Sequence, residues 1–93
     1  MEVNVVDYGF LEDSKRYYVK YKISDINVLT RKKIVNKLEE ELEVKDKNIY
    51  LTMYFESEYY PFKSKESHER FDDYKAREEI EMIAYISSIL EED

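Results

Sequence analysis

The feature that most constrains the fold is a strict alternation of purely apolar side chains with tyrosine and polar side chains over residues 48–56. Successive side chains of a strand point to opposite faces of a sheet, so a period of two indicates a strand and not a helix. The apolar face would carry Ile49, Leu51, Met53 and Phe55, and the opposite face Tyr50, Thr52, Tyr54 and Glu56. One apolar sheet face must be covered, so other parts of the chain have to supply that cover.

Two more strands are predicted near the start of the chain. Residues 16–24 alternate in the same way, and Val3 and Val5 mark a shorter strand. Residues 9–14 lie between them and contain Gly, Asp and Ser, which favour turns. The first 24 residues therefore predict a β-hairpin.

Two segments have the periodicity of amphipathic helices. The first would begin at an N-cap formed by Asp25 or Thr30 and end near Glu43. The later start places basic side chains in its first turn and acidic ones in its last, an arrangement that opposes the helix macrodipole. The second helix is predicted over residues 67–91, after an irregular connection over 58–67.

The predicted order is β-β-α-β-α, in one domain over residues 1–93. This order favours a two-layer α+β sandwich, with a three-stranded, mainly antiparallel sheet and both helices on one face. The last helix carries more apolar residues than one sheet face needs. Its second stripe, Met82, Ile86 and Ile89, predicts burial either by the first helix or by a second copy of the chain.

Charge is distributed unevenly along the chain. Residues 1–47 carry ten acidic and ten basic side chains, whereas residues 48–93 carry twelve acidic and five basic ones, which accounts for the net charge of -7. From Glu78 onward there are six acids and no base, ending with Glu91, Glu92 and Asp93. Such a field attracts basic surfaces and repels nucleic acid, or it simply keeps a small protein soluble. The predicted acidic face consists of Glu78, Glu79 and Glu81.

Aromatic side chains on the uncovered sheet face form a second candidate surface. The chain has ten tyrosines, four phenylalanines and no tryptophan, and tyrosine is frequent at binding surfaces. The predicted protein-binding residues are Tyr18, Lys20, Tyr50, Tyr54 and Glu56 on the face and Tyr59 and Tyr60 in the following loop. The alternative is that these tyrosines form cross-strand pairs that stabilise a small sheet.

The sequence gives little support for metal binding, phosphate binding or catalysis. The absence of cysteine excludes thiolate metal sites, and one glycine cannot build a phosphate-binding loop. His68 and Asp72 have i,i+4 spacing, but one imidazole beside exposed carboxylates is a weak metal site. We therefore predict no catalytic residue, no cofactor and no metal, and we expect that the chain is not an enzyme.

The function predicted from sequence is a protein-binding module that inhibits or regulates a larger basic protein that handles nucleic acid. In size and composition the chain resembles the inhibitors that phages and archaeal viruses make against host defences, such as anti-CRISPR proteins. A homo-oligomer assembled through the last helix is one alternative. Single-strand nucleic-acid binding through the sheet tyrosines is another, although the acidity disfavours it. A cytoplasmic location is expected, since no apolar run is long enough for a membrane span.

Overall fold

The computed structural model describes residues 1–62 and 64–91; Lys63, Glu92 and Asp93 lie outside the described residues. The elements are β1 (Glu2–Leu11), β2 (Arg16–Ser24), α1 (Val28–Lys37), β3 (Glu41–Lys45), β4 (Asn48–Phe55), a 3-10 turn (Ser57–Tyr59), α2 (Lys65–Glu69) and α3 (Phe71–Glu91). The strands form one sheet in the order β1-β2-β4-β3, and every neighbouring pair is antiparallel. The predicted α+β architecture is confirmed, but the sheet has four strands and not three.

Strand β1 is longer than predicted because a bulge interrupts its alternation. The register shifts between Val5 and Asp7, which leaves Val6 exposed. After this bulge, every second residue of β1 again lies on the apolar face of the sheet. Gly9 therefore lies within the strand, and the predicted turn over residues 9–14 is wrong. The actual turn spans residues 12–15.

Helix α1 is shorter than predicted at its C-terminal end. Asn27 is the N-cap, and its side chain accepts a hydrogen bond from the Thr30 amide at 2.8 Å, so neither predicted cap is correct. The helix ends at Lys37 and not near residue 43. Because the acidic run follows the helix, the predicted conflict with the macrodipole at the C-terminal end disappears.

The acidic run instead leads into β3, which the sequence interpretation missed. A two-residue turn joins β3 to β4, and both of its residues, Asp46 and Lys47, have positive φ values of 51° and 69°. Tight hairpin turns require this conformation, which usually selects glycine or asparagine. Lysine at the second position gives little sequence warning of the turn.

The second predicted helix is divided in two. Helix α2 begins after Ser64, which forms a reciprocal capping box with Ser67. Arg70 lies between α2 and α3 outside both helices. The connection predicted to be irregular over residues 58–67 thus contains a 3-10 turn and the start of a helix.

The core lies between the sheet and helices α1 and α3. Its fully buried members include Val19, Tyr21, Ile23, Ile34, Ile49, Leu51, Phe62 and Ile86. Within the single chain Met82 is 3% exposed and Ile86 0%, so neither is available to a second copy. Ile89 packs against the same core. The predicted oligomer interface on α3 is therefore wrong, because the sheet and α1 already bury that stripe.

Helix α1 also contacts the end of α3 through a polar group. The Lys37 ammonium donates to the Ile89 carbonyl at 3.3 Å, in the last turn of α3, where backbone carbonyls lack helical partners. None of the helices in the described part of the chain is long and apolar enough to cross a membrane.

Candidate protein-interaction site

The open face is the sheet surface opposite α1 and α3, and it carries the predicted contact residues of β2 and β4. In register across the strands, Lys22 lies beside Tyr50 and Tyr50 beside Glu43, while Lys20 lies beside Thr52 and Tyr18 beside Tyr54. Glu56 is exposed just beyond the end of β4. The structure thus brings together the sheet-face residues that the sequence singled out.

Two tyrosines of the open face already have partners within the sheet. The Tyr18 hydroxyl donates to Asp7 at 2.9 Å and the Tyr54 hydroxyl donates to Glu41 at 3.0 Å. These hydrogen bonds are the main reason why the pKa of each tyrosine is raised. The Arg16 guanidinium lies 4.1 Å from the centre of the Tyr54 ring. This pairing favours a structural role for both rings, and the neighbouring carboxylates disfavour contact with phosphates.

The two loop tyrosines lie in different surroundings. Tyr59 is 71% exposed, whereas Tyr60 is 6% exposed and stacks on Tyr17 with ring centres 4.5 Å apart. Burial raises the pKa of the Tyr60 hydroxyl. Tyr60 therefore belongs to the core, and its predicted role as a surface contact is wrong.

The predicted acidic face separates into residues with different roles. The Glu79 carboxylate accepts a hydrogen bond from the Val5 amide at 2.8 Å, next to the bulge of β1. Because β1 is an edge strand, this amide has no partner strand on its outer side, and Glu79 accepts the hydrogen bond that such a strand would otherwise accept. Glu79 is thus tied to the fold, while Glu78 and Glu81 face elsewhere.

Glu78 and Glu81 lie at an opening between α3 and the sheet, which we name the α3 cleft. It is lined by Tyr21, Met53, Phe55, Glu78, Glu81, Met82 and Tyr85 and has a volume of about 190 Å³. The floor is apolar and both charges at the opening are negative. The cleft therefore combines an apolar surface with two acidic side chains.

The Glu78 carboxyl is held in an unfavourable environment for a charge. It is half-buried, and this burial is the main reason why its pKa is raised; the charge of Glu81 and a hydrogen bond between the two carboxyl groups act in the same direction. The Tyr21 hydrogen bond and the charge of Arg77 lower the pKa but do not cancel the rise. Tyr21 donates to Glu78 at only 3.4 Å. Within residues 1–62 and 64–91, neither Glu78 nor Glu81 forms an ion pair.

Residues 2–92 match the model of a protein family, DUF5750, which is described as a family of unknown function. The chain belongs to this family. No curated protein matches the chain. The matched range includes every strand and helix described above and all residues of the α3 cleft of this DUF5750 member.

The sequence interpretation missed most residues that line the cleft. In the sequence, Tyr21, Met53 and Phe55 are only members of apolar strand faces, and the packing of α3 against the sheet is what places them around one cleft. One signal was present, since Glu78 and Glu81 lie one turn apart beside the apolar Met82. Among the described residues, no cluster of three or more acidic or histidine side chains could hold a metal ion.

Proposed function

We propose that this chain is a protein-binding module whose α3 cleft receives a lysine or arginine side chain of a basic partner. The observation that carries the proposal is the half-buried Glu78 beside Glu81 with no cation near enough to form an ion pair in the described chain. Two adjacent carboxylates repel each other, and burial increases that cost. A cation supplied by a partner would relieve both effects.

The walls of the cleft suit the rest of such a side chain. Lysine and arginine have long aliphatic stems that pack on apolar surfaces while their charged ends remain near polar groups. Met53 offers adaptable apolar contacts for the stem, and Tyr85 adds an aromatic edge. A volume of about 190 Å³ accommodates the end of one side chain and not a larger group.

The distribution of charge supports a basic partner. The whole deficit of seven charges lies in residues 48–93, the half of the chain that contains α3. A negative field of this kind accelerates the approach of a positive surface and weakens when salt is added. We propose, as the wider role, that binding regulates or inhibits a larger protein with a basic surface, such as one that handles nucleic acid.

The first test is a titration of the isotopically labelled chain with a capped tripeptide that has a central arginine. The methyl groups of Met53 and Met82 are the reporters, since both residues line the cleft. We expect their NMR signals to shift with increasing peptide. Replacing both Glu78 and Glu81 by glutamine should weaken binding about tenfold or more, as expected for loss of a charge-assisted hydrogen bond.

The matched control replaces Glu12 by glutamine and Asp13 by asparagine in the β1–β2 turn. This variant has the same change in net charge but leaves the cleft intact. Equal weakening in both variants would show that only the overall field matters. Methyl signals that stay unchanged with the wild-type chain would contradict the proposed site.

A further inference from the structure

We propose that the free edge of β3 pairs with the same edge of a second copy, antiparallel and centred on Glu43. Strand β3 is an edge strand of the sheet, so one of its two edges has no neighbouring strand in the described chain. This self-association goes beyond the proposed function and uses a different surface. It also differs from the oligomer predicted from the sequence, which placed the interface on α3.

The direction of the backbone groups supports this pairing. Lys45 and Asn48 flank the two-residue turn, where the carbonyl of the first and the amide of the last residue bond to each other. Hydrogen-bonded pairs alternate along an antiparallel ladder, so Glu43 also bonds to β4 while Leu42 and Val44 present their amides and carbonyls to the free edge. Centring on Glu43 places Leu42 of one copy opposite Val44 of the other, and both residues have the required groups.

The side chains match under the same centring. Glu41 of each copy lies opposite Lys45 of the other, which gives two pairs of opposite charge, and Leu42 lies opposite Val44, which gives two apolar pairs. Antiparallel strands of identical sequence form such pairs twice, as a two-fold axis requires. The five residues of β3 are therefore complementary to themselves at every position except the centre.

Exposed apolar surface lies beside this edge. Val44 is 51% exposed and Val35 of α1 is 41% exposed, and both line the groove between α1 and β3. A second β3 would extend the sheet next to Val44 and cover part of this surface. The pairing should nevertheless be weak, because Glu43 faces Glu43 and the basic α1 helices, with Arg31 and Lys32, lie on one side of the extended sheet.

The decisive experiment uses two charge variants, Glu41→Lys and Lys45→Glu, in sedimentation equilibrium at submillimolar to millimolar concentration. Each variant alone would place like charges opposite each other twice, so we expect neither to dimerise. Mixed together, they restore two pairs of opposite charge, and a heterodimer should form. A further variant, Glu43→Gln, should tighten the wild-type dimer about two- to five-fold, since it removes one repulsive cross-strand pair.

Amide hydrogen exchange locates the interface independently. The Leu42 and Val44 amides should exchange fast in the monomer and become protected as the dimer forms. A wild-type chain that stays monomeric at millimolar concentration would overturn the inference. A mixture that does not associate, or a dimer in which these two amides remain unprotected, would overturn it as well. Because the α3 cleft does not include β3, loss of the dimer leaves the arginine titration unaffected.

Discussion

The open face and the α3 cleft are built from the same kinds of residue, tyrosines beside carboxylates, yet the tyrosine–carboxylate pairs differ in hydrogen-bond length and in burial. On the open face Tyr18 and Tyr54 donate to carboxylates at 2.9 and 3.0 Å, and water reaches both pairs. In the cleft Tyr21 reaches Glu78 only at 3.4 Å, and burial opposes the charge. Residues of the same type can therefore be fully paired in one region and incompletely paired in another, and this difference, not composition, is why we propose the cleft as the interaction site.

The largest predicted effect tests which side of the sheet is the core. Ile86→Glu would bury a carboxylate at a position that is 0% exposed, so we expect a loss of more than about 4 kcal/mol in the free energy of unfolding, enough to unfold the chain. The control Lys22→Glu places the same group on the open face, where we expect a change below about 1 kcal/mol. Urea unfolding followed by circular dichroism measures both. Similar losses in the two variants would contradict the assignment of the faces.

The next effect separates the acids of α3. Glu79→Ala should lower the free energy of unfolding by about 1–2 kcal/mol, because the Val5 amide loses a charge-assisted hydrogen bond. Glu81→Ala is the matched control, since it removes an equal charge from the same helix without removing a backbone partner. The comparison uses urea unfolding at neutral pH. If Glu81→Ala costs as much as Glu79→Ala, the bond to Val5 is not what stabilises β1.

A smaller effect is the pH dependence that Glu78 gives to the free energy of unfolding. The pKa of Glu78 is raised above the ordinary value of 4.5, so the folded chain holds its proton more tightly than the unfolded chain. The stability gained from that proton is complete below the unfolded pKa and is lost as pH rises through the folded pKa. Glu78→Gln should therefore be more stable than wild type at neutral pH, and the difference should vanish as pH falls below 4.5.

Unfolding curves of wild type and Glu78→Gln at several pH values measure this difference. Glu12→Gln in the β1–β2 turn serves as the control for loss of one exposed carboxylate. A difference that stays constant with pH would show that Glu78 is not destabilised by the cleft.

The smallest effect tests the open face without changing the fold. Asp7→Asn should lower the pKa of Tyr18 towards its ordinary value of 10.0, since the charged acceptor of its hydroxyl is lost. Tyr54 should titrate as before, because its partner is Glu41. NMR titration of the ring signals resolves the two tyrosines. An unchanged Tyr18 would mean that this hydrogen bond is not formed in solution.

Periodicity predicted the parts of the fold in which burial alternates regularly. Strands β2 and β4, the division of each into an apolar and an open face, and the cover of the apolar face by two helices follow from the sequence, whereas the pairing of β2 with β4 does not. Strand β3 was missed because Val35, Leu38 and Leu42 are spaced like one face of a helix, so the pattern runs across the real boundary. The macrodipole conflict was a local sign that the helix stops earlier.

The site was less predictable because it depends on contacts between distant segments. The sheet-face tyrosines could be placed from alternation, but their hydroxyl partners depend on register between strands. The sequence places Tyr60 in a loop beside Pro61, and no local pattern indicates that its ring is buried. The bulge in β1 likewise concealed how far that strand extends.

The hydrogen bond from the Val5 amide to Glu79 has a consequence for how the chain folds during its synthesis on the ribosome. These two residues are 74 positions apart, so the first strand is synthesised long before the helix that secures its bulge. Until α3 has left the exit tunnel, the outer edge of β1 is open to other nascent chains. Chains released before residue 79 should therefore be more prone to aggregate than chains that contain the whole of α3.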